Sequence, residues 1–352
     1  MYSVSAIIVN YNGRDFLKNC LNSLYNQDFH GRLEIIVIDN NSSDNSVEFI
    51  KMNYPDVTLL ENSKNVGHSA ACNQGAKIAK GDFLLFLDND VILQEDFITE
   101  LLKVFGRKKD CGIAGGMVKD LGTNFIQELG INIDILGYPI SNIGTMFGYI
   151  IEDKNQYNEI FETFYVSSCA LMIPRNLFLK VGGFDDKYFI YKDDLDLCWR
   201  VKLLGYKVYV NPKARIYHKM GVTLGGSSSE IIGKMKYTTT PLKRYYGERN
   251  TLRTLIKNYE IKTLLWILPI YIFMNIGEIL YFLSKRNLRV VKSYIDAWIW
   301  NIKNFKDTLK ERRRIQSFRK VSDKEIMKEM YHGFAKLRIY KTFMLKNSLE
   351  IR

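Results

Sequence analysis

The first part of the chain alternates between short hydrophobic runs and segments whose apolar positions have helical spacing. The runs are VSAIIVN, LEIIVID, VTLLE and DFLLFLD, and a segment such as RDFLKNCLNSLYNQ repeats its apolar residues every three or four positions. Continuous apolar runs are typical of parallel strands that are covered on both faces. The pattern predicts an α/β fold in which a mostly parallel, Rossmann-like sheet is flanked by helices.

The chain between this region and residue 218 has a less regular pattern. Residues 110–165 are rich in glycine and lack a clear period, so we expect strands and a loop that shape a second half of the site. An apolar strand and a short helix should follow. A further helix should end at Gly205, and two strands should then lead to His218.

Three of the predicted strands end in polar residues, at Asn10, Asp39 and Asp88. The carboxyl ends of parallel strands face one crevice, and ligands of such sheets bind there. No G-x-G-x-x-G follows the first strand, and no G-x-x-x-x-G-K-[ST] occurs. If the crevice binds a phosphate, groups other than these glycine-rich loops must therefore neutralise the phosphate charge.

The fourth strand ends in two aspartates one residue apart, Asp88 and Asp90. Two unpaired carboxylates on one side of an extended segment repel each other, and a hard divalent cation such as Mg²⁺ or Mn²⁺ removes that cost. The pair is typical of a metal and diphosphate site. The alternative is a solvated turn, because Asn and Asp are also common turn residues.

A second acidic group, KDDLD, stands at the start of a predicted helix. Its three aspartates, Asp193, Asp194 and Asp196, exceed what the helix dipole needs in a first turn. We expect Asp196 to be structural and Asp194, or else Asp193, to act as a general base. His218 ends a strand near the same crevice and could be a structural residue or a metal ligand.

The ordered set IIVNYNG, DNNSSDNS, NVGHSAACNQG, LDND, VGGFDDKYFIYKDDLDLCWR and YH resembles an inverting glycosyltransferase of family 2 with the GT-A fold, closest to its rhamnosyltransferase-like branch. The resemblance covers about residues 3–250. It implies a catalytic domain over residues 1–250 and a separate helical region over residues 251–352.

The resemblance also implies a role for each matching residue. Asp39 would bind the nucleotide base beside Tyr11, and His218 would complete a Mg²⁺ or Mn²⁺ site. Asp194 would be the base, with Asp193 where the family usually has Glu, and His68 stands where an apolar residue is expected. The donor-binding residues would be Tyr11, Asp39, Asn65, Gly67, Asn73, Asp88 and Asn89, and the metal ligands Asp90, Asp88 and His218.

The implied reaction moves a sugar from a dTDP-, UDP- or GDP-linked donor to a hydroxyl of a glycan or lipid-linked glycan. Two other functions remain open at this stage. A non-catalytic membrane scaffold could retain the fold, although it need not keep the acids. A nucleotidyltransferase would need a basic, glycine-rich loop after the first strand, and NYNGRDFLKNC has one glycine and one early arginine.

The most apolar stretch is LLWILPIYIFMNIGEILYFL, residues 264–283, which is just long enough to span a bilayer. Asn275 and Glu278 interrupt it, and a charge inside a span is costly. We therefore favour a helix pair lying in the membrane surface through residues 263–302, with Trp298 and Trp300 at the interface and the basic tail on anionic lipid. A true span and a hydrophobic hairpin that forms a homodimer are the alternatives.

The net charge is +12, and much of the surplus follows residue 285. A nucleic-acid partner is not expected, because the chain lacks a repeated Arg/aromatic pattern. The five scattered cysteines predict free thiols in a reducing compartment rather than disulfides or zinc. No signal peptide opens the sequence, and we expect the enzyme on the cytoplasmic face of the membrane.

Overall fold

The computed structural model describes residues 2–141, 143–144, 151–219, 237–338, 341 and 349–351. The strands in this part of the chain are β1 (Ser3–Asn10), β2 (Arg32–Asp39), β3 (Thr58–Glu61), β4 (Phe83–Asp88), β5 (Val91–Leu93), β6 (Cys111–Asp120), β7 (Ile126–Glu128), β8 (Asn132–Ile133), β9 (Pro139–Ile140), β10 (Phe161–Thr163), β11 (Ala170–Pro174), β12 (Lys207–His218), β13 (Tyr237–Thr239) and β14 (Leu349–Ile351). The helices are α1 (Arg14–Tyr25), α2 (Ser46–Asn53), α3 (His68–Ile78), α4 (Phe97–Arg107), α5 (Arg175–Lys180), α6 (Asp193–Leu203), α7 (Pro241–Asn258), α8 (Ile261–Ser284), α9 (Leu288–Lys303), α10 (Phe305–Phe318) and α11 (Asp323–Lys328).

The main sheet is mixed, with the order β3-β2-β1-β4-β11-β6-β12-β10. Its first four strands are all parallel, as the sequence predicts for the N-terminal half. β11 then runs antiparallel to both β4 and β6, whereas β6 and β12 are parallel. The register places Asn10 opposite Asp39, and Val9 opposite Asp88, so the polar strand ends lie along one edge.

The sheet has a hydrophobic core on each face, because successive side chains of a strand point to opposite sides. On β1, Ile7 packs into the core that includes residues of α3, α5 and α6. Its neighbours Ala6 and Ile8 pack into the other core, with residues of α1, α2 and α4. Helices therefore cover both faces, as predicted.

The prediction of two strands before His218 is wrong. Residues 207–218 form the single long strand β12, whose pairing with β6 is irregular between Asn211 and Arg215. Pro212 lies in this irregular part, where the missing N–H of a proline costs no ladder hydrogen bond. The far end of β12 then pairs with β5, and His218 lies opposite Val91, next to Asp90.

The helical C-terminal region packs directly on the sheet domain. The expected boundary between residues 250 and 251 falls inside α7, which contacts α6, α9 and α10. The division into two domains stays a prediction. Within the described ranges, α8 is the one helix that is long and apolar enough to cross a membrane.

The polar residues that interrupt α8 face the protein. Asn275 and Glu278 are buried, and Glu278 accepts a hydrogen bond from Tyr294 Oη at 2.9 Å and pairs with Lys336. The opposite face of α8 is exposed and almost entirely apolar. Its large exposed side chains are Ile261, Leu265, Trp266, Ile272, Phe273, Ile276, Leu280 and Leu283.

Several basic residues lie beside or after the apolar stretch in the sequence. In the structure they bind carboxylates or backbone carbonyls of the protein itself. Lys257 is buried and pairs with Asp185 at 2.5 Å and with Asp196 at 3.0 Å. Arg312 and Arg314, in the sequence RRR at 312–314, donate to backbone carbonyls of the folded chain. Part of the basic tail, residues 339–340 and 342–348, lies outside the described residues.

All five cysteines are buried and free, as the sequence predicts.

Candidate active site

The polar ends of β1, β2 and β4 form one connected network. Asn10 lies at its centre: its Nδ2 donates to Asp39 Oδ1 at 2.9 Å, and its Oδ1 accepts from Asn89 Nδ2 at 2.8 Å. The expectation that these strand ends lie together at one edge of the sheet is thereby confirmed. Tyr11 extends from the same edge with 39% of its surface exposed, so its ring is open to a ligand.

Asp39 is buried and already well supplied with hydrogen bonds. Besides Asn10, it accepts from Ser42 N–H at 2.8 Å and from Ser42 Oγ at 2.6 Å. The network fixes the orientation of the carboxylate at the mouth of the crevice. Its contact with a nucleotide base stays a prediction.

Asp88, Asp90 and His218 form a group that could hold a metal ion. Their ligand atoms all lie within 4.8 Å of one another. Burial raises the pKa of Asp88, and the charge of Asp90 raises it further, so a cation between them would relieve a real repulsion. Two carboxylates and one imidazole suit Mn²⁺ or Mg²⁺, which leave other positions for phosphate oxygens.

Gln127 fixes which nitrogen of His218 faces the acids. The amide Nε2 of Gln127 donates to two acceptors, Asp120 Oδ1 at 2.9 Å and the carbonyl oxygen of His218 at 2.8 Å. Its Oε1 must then accept from His218 Nδ1, at 3.0 Å. This leaves Nε2, 3.4 Å from Asp90, as the nitrogen available for a metal. The sequence contains no motif that points to Gln127.

We expect Gln127→Ala to weaken Mn²⁺ binding by about 10- to 100-fold, because mutation of the residue that orients a histidine ligand typically lowers metal affinity by this factor. Isothermal titration calorimetry with Mn²⁺ and UDP measures the change without any turnover. Gln74→Ala is the matched control, since Gln74 hydrogen-bonds with Asn62 away from the metal group. Equal metal affinity for Gln127→Ala and the wild type would contradict the assignment.

The Asp194 carboxylate is distinguished by its pKa and by its single hydrogen bond among the described residues. Burial, and then the charge of Asp193, raise the pKa of Asp194 to about 7. Among the described residues, its carboxylate accepts one hydrogen bond, from Leu195 N–H at 2.7 Å, so it can still accept a proton. Glu128, which no sequence motif indicates, adds to the raised pKa of Asp194 and accepts a hydrogen bond from Ser167 Oγ at 2.6 Å.

Asp193 is held far more tightly than its neighbour. His68 Nδ1 donates to its Oδ2 at 2.7 Å, and Ser69 Oγ donates to the same oxygen at 2.9 Å. Burial alone would raise the pKa of Asp193, but the charge and the hydrogen bond of His68 outweigh it and lower the pKa. His68 Nε2 also lies 3.9 Å from Asp88, so one imidazole joins the two acidic groups.

We expect His68→Phe to lower the free energy of unfolding by about 3 kcal/mol, because removing one partner of a buried ion pair leaves the other charge unpaired. Denaturant unfolding measures this change. The double variant His68→Phe, Asp193→Asn should recover most of the loss, since it removes both charges. If the double variant is no more stable than His68→Phe alone, the pair is not the cause.

The three residues from the N-x-G region have mainly structural contacts. Asn65 Oδ1 accepts from Gly67 N–H at 2.9 Å, which closes a tight turn. Gly67 has a φ of +87°, and a Cβ there would lie 2.7 Å from the carbonyl oxygen of Phe189. Asn73 hydrogen-bonds with Phe184 and with Asp186 Oδ1 at 2.6 Å, so its amide ties α3 to the GGFDD turn that follows α5. Their contacts with a donor stay predictions.

Several known proteins are similar in sequence to this chain. The dTDP-rhamnosyl transferase RfbF of Shigella flexneri is 26% identical over 311 residues, which are 86% of this chain and 96% of that protein. The O-antigen biosynthesis protein RfbC of Myxococcus xanthus is 25% identical over 225 residues, 60% of this chain but 17% of that protein. The chain thus spans only a small part of some of its relatives.

Among solved structures, the crystal structure of GalNAc-T7 with UDP, GalNAc and Mn²⁺ superposes with a TM-score of 0.59 at 16% identity, over 86% of this chain and 58% of that chain. This likeness supports the fold, which is of the GT-A type. The model of "Glycosyl transferase family 2" matches residues 5–181, half of the chain. The chain belongs to glycosyltransferase family 2, whose members transfer a sugar from a nucleotide-sugar donor.

Proposed function

We propose that the protein is an inverting hexosyl- or rhamnosyltransferase in which Asp194 is the general base and Asp88, Asp90 and His218 hold a divalent cation. The observation that carries the proposal is the contrast between two adjacent carboxylates. Asp193 is paired with His68, whereas Asp194 has a pKa of about 7 and accepts one hydrogen bond among the described residues. A base with a pKa near the working pH is the most effective proton acceptor.

The residues divide the reaction between them. Asp194 takes the proton from the acceptor hydroxyl while the hydroxyl oxygen of the acceptor attacks the anomeric carbon. The nucleoside diphosphate leaves from the opposite face of that carbon. Asp88, Asp90 and His218 would hold Mg²⁺ or Mn²⁺, which offsets the charge of the diphosphate when bound. A single displacement of this kind inverts the anomeric carbon and needs no carboxylate nucleophile.

The donor is to be found by testing UDP-, GDP- and dTDP-linked sugars for hydrolysis and for binding, with and without Mn²⁺. Binding of one donor in the presence of metal, together with its slow hydrolysis, would support the proposal and identify the sugar. The similarity to RfbF makes dTDP-rhamnose the first donor to test. If no donor binds, the non-catalytic scaffold is the better interpretation, and nucleotidyl transfer from a nucleoside triphosphate should then be assayed.

We further propose that the exposed face of α8 and the adjacent face of α9 lie in the surface of an anionic membrane, where a lipid-linked acceptor would be within reach. The pattern of α8 supports this, because its polar residues face the protein and its outer face is apolar. Leu265 and Phe273 are 73% and 75% exposed. Lys262, Lys285 and Arg289 are exposed near the ends of this face, where they can meet lipid headgroups. Trp300, which the sequence predicts at the membrane interface, packs on Arg249 instead.

Co-sedimentation with vesicles, with and without anionic lipid, tests the membrane proposal. Phe273→Asp should weaken vesicle binding by at least about tenfold, because the burial of one Phe side chain in lipid is lost. Met52→Asp is the control, since Met52 on α2 is 83% exposed but lies outside the α8 face. If the wild type does not bind vesicles and forms a dimer that Phe273→Asp dissociates, the apolar face of α8 is a homodimer interface instead.

A further inference from the structure

The segment that leads into α6 has an unfavourable backbone conformation. Phe189, Tyr191 and Lys192 have φ values of 64°, 67° and 68°, in the left-handed region that residues with large side chains avoid. Such a conformation persists only where the surrounding structure holds it, and it often occurs at functional sites. Lys192 immediately precedes Asp193 and Asp194, so this segment determines where Asp194 is placed.

Asn250 on α7 binds three backbone carbonyls of this segment. Its Nδ2 lies 3.1 Å from the oxygen of Tyr188, 2.9 Å from that of Ile190 and 2.8 Å from that of Tyr191. Its Oδ1 accepts from Arg249 Nε at 2.8 Å, which fixes the amide with its nitrogen toward the carbonyls. Asn250 is fully buried, so water cannot replace these hydrogen bonds.

Arg249 extends the same contact by one residue. Its Nη2 donates to the carbonyl oxygens of Lys187 at 2.8 Å and Tyr188 at 2.5 Å. The guanidinium lies 4.6 Å from the ring centre of Tyr246 and 4.4 Å from that of Trp300. These contacts hold the guanidinium in the orientation in which it donates to the segment.

We propose that Arg249 and Asn250 form a carbonyl clamp, defined by these two side chains, that positions Asp194 for proton transfer. The proposal rests on the proposed function, because it assigns positioning residues to that reaction. The opposite side of the segment is bound by the sheet domain, where His68 N–H donates to the oxygen of Phe189 at 2.6 Å. The clamp therefore makes α7, and the helical region that packs on it, part of the catalytic apparatus.

Asn250→Asp and Asn250→Ala test the clamp. The aspartate keeps the size of the side chain but has no N–H to donate, so it separates the hydrogen bonds from the packing. We expect donor hydrolysis by both variants to fall by about 100-fold, since a misplacement of about 1 Å can cost that much. Binding of UDP, GDP or dTDP with Mn²⁺ should stay within about threefold, because the clamp does not reach the strand-end network.

Hydrogen exchange measured by mass spectrometry gives a readout that does not depend on turnover. Peptides covering residues 186–196 should exchange faster in both variants, whereas those covering β1 and β4 should not change. Asn211→Ala is the matched control. Asn211 is also buried, and it donates to the carbonyl oxygen of Glu100 at 2.9 Å, on α4 and away from α6.

The outcomes are distinct. A selective loss of turnover in the Asn250 variants, with faster exchange in residues 186–196, supports the clamp. Full activity in Asn250→Asp overturns it. A loss of activity and of melting temperature in Asn211→Ala that is as large as in the Asn250 variants also overturns it. If the wild type hydrolyses no donor, the proposed function fails, and unchanged exchange in the Asn250 variants would overturn the clamp separately.

Discussion

Asp194→Asn should lower the rate of sugar transfer by about 1,000-fold, within the range that a positioned general base contributes. The amide has almost the same shape as the carboxylate but cannot take a proton. Binding of the nucleotide with Mn²⁺ should be unchanged, because Asp194 is not in the metal group. Steady-state rates and calorimetric binding for the same protein preparation measure the two effects separately.

The pH dependence gives an independent check on the same residue. The pKa of Asp194 is about 7, raised first by burial and then by the charge of Asp193. Because the base must be ionised, kcat/KM of the wild type should rise with pH up to about 7 and then level off, reaching about a tenth of its plateau at pH 6. The residual activity of Asp194→Asn should lack this inflection.

Stability separates loss of the base from loss of the fold. A carboxyl group whose pKa is raised by folding stabilises the folded state below its unfolded pKa, and this stabilisation is lost as the pH rises through 7. Asp194→Asn should therefore melt at the same or a higher temperature than the wild type at pH 8. If Asp193→Asn loses the pH inflection and Asp194→Asn keeps it, Asp193 is the base.

The parallel half of the fold could be predicted because each of its strands is specified locally. An apolar run that ends in a polar residue defines both the strand and the edge of the sheet at which its end lies. Asn10, Asp39 and Asp88 meet for this reason, and no long-range information is needed. β12 was harder to predict, because Pro212 suggests a break, whereas the pairing with β6 carries the strand past it.

The residues that support the site could not be found in this way. Gln127 and Asn250 act through hydrogen bonds to residues that are 91 and 59–62 positions away in the chain. No motif or period links such pairs, since the contact exists only after the sheet and helices have packed. The same limitation applies to Asn73. The resemblance predicts that it binds the donor, but its amide hydrogen-bonds with a neighbouring turn.

Charge was the least reliable guide. The surplus of lysine and arginine after residue 285 predicts a basic tail on anionic lipid, but Arg312 and Arg314 in this part of the chain donate to backbone carbonyls of the fold. A sequence records that a residue is basic but not which way it faces. Conversely, Asn275 and Glu278 interrupt the apolar pattern of α8 in the sequence, but their inward orientation leaves its outer face almost entirely apolar.

Asp90→Asn should lower Mn²⁺-dependent transfer by about 1,000-fold, because metal coordination contributes several kcal/mol to the stabilisation of developing charge. Asp90 belongs to the metal group with Asp88 and His218, and its Oδ1 lies 3.4 Å from His218 Nε2. An amide at this position removes one negative charge and offers only one oxygen to the ion. Treatment of the wild type with EDTA should produce a loss of similar size, and added Mn²⁺ should restore it.

The binding of UDP, GDP or dTDP shows whether this loss acts through the metal. Mn²⁺ should tighten nucleotide binding by the wild type and have little effect on Asp90→Asn. Asp82→Asn is the matched control, because Asp82 precedes the same strand at its opposite end and accepts from Ser3 N–H at 2.9 Å, away from the crevice. If Mn²⁺ tightens binding by Asp90→Asn as much as by Asp82→Asn, the metal is held elsewhere and Asp90 is not its ligand.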